Sequence, residues 1–159
     1  METMTENEEI EKKRNAKFDP EKGEIKVLGV RCFLMNPVSS CERVDRMFGT
    51  GGEVIVHNMG LEFGYEFFDA IVRNNPGKTK QSLLAELVGA APELGWGIVA
   101  TSTVRQNPPI VKVTVQNPPA KTIHGSSKRI VGSFWAGVLS KYFDRQLTCK
   151  DFSYDEEKD

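Results

Sequence analysis

The chain has 159 residues, of which 39% are apolar and 27% charged, with a formal net charge of −1. That length suits one domain with a core of its own, and the charge balance excludes a broad basic footprint for nucleic acid or an anionic membrane. Three cysteines, odd in number and far apart (Cys32, Cys41 and Cys149), argue against a disulfide framework and for a reducing, cytoplasmic compartment.

In chain order, residues 1–17 are polar and charged and read as a loose tail or exposed helix, with no apolar stretch of secretory type. Residues 18–154 are expected to form the domain, and 155–159 an acidic end. "IKVLGVRCFLM", Ile25 to Met35, reads as one strand, bent or bulged at Gly29. Pro37 opens a short amphipathic helix in which Val38, Cys41, Val44 and Phe48 share a face, and Gly49 ends it. A long helix follows from Thr50 to Arg73, with Val56, Met59, Phe63, Phe67 and Ile71 as its apolar stripe. Glu62, Glu66 and Asp69 then fall on its solvated face. After the turn "NNPGK", Ser82 to Leu94 reads as a third helix with Leu83, Leu84, Leu87 and Val88 inward.

The period then changes. Gly97 to Val104 and Ile110 to Gln116 read as two strands of an antiparallel hairpin, with Val111, Val113 and Val115 on one face. Ser126 to Phe143 returns to helix, Asp144 and Arg145 turn the chain, and "QLTCKDFSY" alternates like a final strand. The order predicts an α+β domain, an antiparallel sheet of about four strands packed with about four helices.

Small residues are distributed unevenly over two of the helices. Gly60 and Gly64 lie four apart on the long helix, while Ser133, Gly137 and Ser140 make a stripe on the last one. Such faces serve either a close approach of two backbones or a ligand lodged between helices.

Chemically distinctive residues are few. The histidines are His57, inside the long helix, and His124, at a loop-to-helix boundary that places it better for a pocket. CxxC, HxxxH and HExxH are absent, so no metal site is expected. "GTGG" (Gly49 to Gly52) and "GWG" (Gly95 to Gly97) lack a complete phosphate-loop pattern and read as ordinary loops.

"HGSSKRIVGSFWAGVLSKYFDRQLTCKDFSY" resembles the C-terminal signature of the 4-vinyl reductase-type domain. "MGLEFGYEFF" (Met59 to Phe68) is similar to that family's glycine-paired central helix, and "ELGWG" (Glu93 to Gly97) to its entry into the first hairpin strand. The resemblance spans about residues 25–154 and rests on the order of the motifs. It implies the α/β sandwich shared with bacterial sensor domains, nitric-oxide-signalling partners and TRAPP vesicle-tethering subunits. It also implies a hydrophobic or aromatic ligand in an internal cavity and a homodimer. The zinc-binding cysteines that many sensor members carry after the last helix are reduced here to Cys149.

The expectation is therefore a stand-alone small-molecule-binding domain, with no nucleic-acid or membrane partner. Its pocket would lie between the two small-faced helices and the sheet, walled by Phe63, Phe67, Phe134 and Trp135 and anchored by His57 or His124. Leucine at Gly137 would then abolish binding and leave the fold intact. A vinyl reductase acting on a tetrapyrrole and a structural adaptor are the alternatives; the cofactor of the former is not specified by any motif.

Overall fold

The computed structural model describes residues 15–32, 37–117 and 126–150. Within them the chain forms β1 (Ala16–Asp19), β2 (Glu24–Val27), β3 (Val30–Cys32), α1 (Pro37–Phe48), α2 (Gly51–Asn74), α3 (Lys80–Ala90), β4 (Ile98–Arg105), β5 (Ile110–Gln116) and α4 (Ser126–Phe143). The class is α+β, as the element pattern implies. The strands form two antiparallel ribbons, β1-β2-β3 and β4-β5.

The first ribbon departs from the expected single strand. Val27 pairs with Val30, so Leu28 and Gly29 form a two-residue hairpin turn, both at positive φ (48° and 84°). This is the turn whose twist matches the strands it joins, and glycine at its second position removes half of the steric cost. Ala16–Asp19, partly inside the expected tail, pairs with β2 because alternating apolar and charged residues continue upstream of Pro20.

α1, α2 and α4 follow their sequence signals to within a residue, whereas α3 starts at Lys80 and ends at Ala90, four residues short of the expected Leu94. In α1, Gly49 at φ 56° closes the helix and its N–H bonds the Asp45 carbonyl at 2.8 Å. Cys41 is buried as expected, whereas Phe48 is exposed. The first turn of α3 is capped by Thr79, whose Oγ1 accepts from the Ser82 N–H at 3.1 Å. Leu83, Leu87 and Ala90 are its buried face. Residues 146–150 have no regular structure, so the expected last strand is absent there, and its remainder lies outside the described residues. The physical reason is local: the Ser140 hydroxyl accepts from the Leu147 N–H at 2.8 Å, turning this segment back onto α4 instead of extending it.

At the centre lies α4. Every residue from Ser133 to Ser140 is buried, which explains why this stretch carries no charge. The core joins Phe68 and Ile71 of α2, Leu83 and Leu87 of α3, Val99 of β4 and Val131, Phe134, Trp135 and Val138 of α4. The β4-β5 ribbon reaches the core only at its base. Val99 is buried and Val113 and Val115 pack on the cluster, while Val104 is 67% exposed. Gly97 sits where that base closes. Its φ is 84°, and a side chain there would collide with the Gln116 carbonyl. Among the described residues no helix is long and apolar enough to cross a membrane.

Candidate functional site: the α2-α4 seam and its aromatic flank

The two small-faced helices meet each other. They run parallel, and the contacts advance by one turn in both helices at each step. Glu53 pairs with Arg129 (2.9 Å), His57 Nδ1 with Ser133 Oγ (2.7 Å), and Leu61 faces Gly137; Lys141 then lies over the Tyr65 ring (5.2 Å). A Cβ at Gly60 would lie 2.8 Å from Ser133 Cβ and 2.9 Å from the Ile130 carbonyl. At Gly64 it would collide with the Phe134 carbonyl, and at Gly137 with the Leu61 carbonyl. Backbone touches backbone, and the small residues are what permits it.

At Gly60, Gly64 and Gly137 the small faces fill each other, which is the close approach of two backbones that the glycine spacing allows. Gly60, Gly64, Ser133 and Gly137 are close-approach residues in the strict sense. Ser140 has another task, donating to the Ala136 carbonyl at 2.7 Å and receiving the Leu147 N–H. Leucine at Gly137 would drive into backbone, so it tests folding and not binding, contrary to expectation.

The expected stripe on α2 is also corrected. Val56 and Ile71 are buried, but Met59 (48%) and Phe63 (57%) are exposed. The inward face runs through Val56, Gly60, Gly64, Phe68 and Ile71. Spacing of bulky side chains selected a face up to about 100° away, one residue's rotation, because glycines carry the closest contact. Likewise Asp69 is not a solvated carboxylate. It holds Lys141 at 2.6 Å and Arg73 at 2.9 Å. The hydrogen bond from Lys141 keeps the Asp69 carboxyl below its ordinary range, and the same bond raises Lys141.

Of the six expected ligand-binding residues, the structure brings three aromatics into one cluster. Phe67 and Phe134 have centroids 5.9 Å apart, and Trp135 meets Phe134 edge-on at 5.7 Å. Phe63 lies one turn before Phe67 on α2 and opens to solvent. His57 is engaged by Ser133, a buried hydroxyl beneath it, which makes the pair a lock between helices and not a nucleophile with its base. His124 lies outside the described residues.

Trp96 was not singled out by sequence reasoning, yet its ring is 4.5 Å from Phe134. Its signal was available in "GWG", where two positive-φ glycines fold an aromatic back onto the core. The result is a row from open Phe63 through half-buried Phe67 to buried Phe134 and half-buried Trp96. Trp135 is fully sequestered, and its Nε1–H has no acceptor among the described residues.

Metal chemistry has no donor set here: among the described residues no three His, Cys, Asp or Glu side chains gather. Burial raises the Cys32 and Cys41 thiols above their usual range, which makes them poor nucleophiles. "GTGG" builds the α1-α2 corner, where a Cβ at Gly52 would lie 2.7 Å from Asp45 Oδ1. Compared with known proteins, the chain matches no family model and no curated protein.

Proposed function

We propose that this chain is a small-molecule-binding domain for a hydrophobic or aromatic ligand, seated on the aromatic flank of the seam. The observation that carries the reading is the aromatic cluster Phe67-Phe134-Trp96, anchored in the core, with exposed Phe63 one turn before Phe67 on α2. A rigid aromatic surface of this kind suits a flat ligand, because stacking orders few rotatable groups. The order of motifs resembling the 4-vinyl reductase-type domain supports the same class of ligand. The same reading carries a homodimer and a cytoplasmic location, the latter supported by the thiols of Cys32 and Cys41, which form no disulfide.

The test uses protoporphyrin IX and 1-anilinonaphthalene-8-sulfonate as probes, with tryptophan fluorescence as readout. Trp96 lies on the row and should be quenched saturably. Phe63→Glu, at an exposed position, should weaken binding about tenfold and leave the circular dichroism unchanged. Saturable binding that is indifferent to this substitution, or no binding of either probe, overturns the assignment. Sedimentation velocity of the ligand-free chain tests the dimer.

A further inference from the structure

A second feature lies on the other side of α2. Near the end of the seam the two helices border a half-open cleft of about 300 Å³, lined by Leu61, Glu62, Tyr65, Ser140, Asp144, Arg145 and Gln146. Leu61 and Tyr65 sit roughly opposite Phe63 around the helix, so this cleft is separate from the aromatic row.

Its rim is fixed by the chain itself. Asp144 adopts φ 50°, a left-handed conformation that non-glycine residues take at a cost. Three contacts hold it there. Lys80 Nζ binds both Asp144 carboxylate oxygens (2.6 and 2.7 Å), the Arg145 N–H bonds the Ser140 carbonyl (3.0 Å), and the Leu147 N–H bonds Ser140 Oγ (2.8 Å). The Lys80 bond also depresses the Asp144 carboxyl, which keeps it ionised and occupied.

With Asp144 committed to Lys80, two charges in the lining remain uncompensated. Neither Arg145 nor Glu62 makes an ion pair with any described residue, and they do not pair with each other. A purely anionic guest would face Glu62, and a purely cationic one Arg145. A guest carrying both charges satisfies both, with an apolar part against Leu61 and the Tyr65 ring. The volume sits at the lower end of small-molecule sites.

We propose that this cleft binds a small zwitterion of the free α-amino acid class, its carboxylate on Arg145 and its ammonium on Glu62. The guanidinium is suited to bidentate carboxylate recognition, and the fixed turn holds the backbone that carries it at the cleft rim.

Amide chemical shifts of the full chain provide the test, with L-phenylalanine and L-leucine as probes. At least one should shift the amides of residues 61–65 and 144–147 saturably at millimolar concentration. Phenethylamine and 3-phenylpropionate, each lacking one charge, should bind at least about tenfold more weakly than L-phenylalanine. Arg145→Gln and Glu62→Gln are exposed substitutions that should each cost a similar factor with the spectrum otherwise unchanged. If neither amino acid produces a saturable shift, if the single-charge probes bind as well, or if both variants bind like the parent, the proposal fails. Phe63→Glu should leave these shifts unaltered, which separates this site from the aromatic row.

Discussion

The α2-α4 seam and the β4-β5 ribbon are both pairs of regular elements, yet they are held in opposite ways. In the seam, glycines bring two backbones into contact, and polar pairs close both ends. In the ribbon, bulky β-branched residues stand on a ladder with one face bare, and Ile98, Val104 and Ile110 are 53%, 67% and 45% exposed. A two-stranded ribbon has little stability apart from what it packs on, so its order is borrowed from the core at Val99 and Val115. The seam has no slack, and every atom added there must displace a backbone. Between these two pairs of elements, the one joined by small side chains is the rigid one, and the one built on large side chains is the tolerant one.

The sharpest way to break this comparison is to add one methyl group. Gly64→Ala or Gly137→Ala should lose about 3 kcal/mol of unfolding free energy, read from urea midpoints, since the obstacle is a carbonyl that cannot rotate away. Gly89→Ala in α3, with open space around it, should instead gain up to about 1 kcal/mol. Equal responses at the three positions would refute backbone contact at the seam.

Ser133→Ala keeps the Cβ against Gly60 and removes only the bond to His57. About 1 kcal/mol is expected by the same measurement. A neutral result would show that packing alone holds the middle of the seam.

The Asp69-Lys141 pair at the far end makes a weaker, pH-dependent contribution. Because the folded Asp69 carboxyl lies below its ordinary range, its stabilisation is present above that range and is lost as pH falls through the lower folded value. Asp69→Asn should cost under about 1 kcal/mol at neutral pH and flatten the acid limb of the stability curve. An unchanged acid limb would move the effect to the other depressed carboxylates, Asp19, Glu24, Glu86 and Asp144.

On the ribbon the effects should be smallest. Val104→Thr should stay within about 0.5 kcal/mol. Hydrogen exchange should show the outer β4-β5 amides opening well before those of α2 and α4.

Much of the fold was legible in advance. The bounds of α4 and the pairing of β4 with β5 follow from a change of period and strong turn residues, both local signals. The Leu28-Gly29 hairpin was not, because leucine is an unusual first residue for a turn at positive φ and no Asn, Asp or Pro marks the turn. Of the candidate site, Phe67, Phe134 and Trp135 were legible as aromatics of two helices that had to pack. That Phe63 faces solvent depends on how α2 is rotated, which no local pattern encodes, and that Trp96 meets Phe134 is a contact between residues far apart in sequence.

By itself, the sequence determined where α1, α2 and α4 begin and end to within a residue, which strands form the ribbon, and that Gly60, Gly64 and Gly137 require something close. Capping, turn chemistry and periodicity act over a few residues and need no partner. Only the tertiary structure decided what comes close. A missing side chain specifies proximity but not its object, and a cavity and a second backbone leave the same mark on a sequence. Here the object is the backbone of the neighbouring helix.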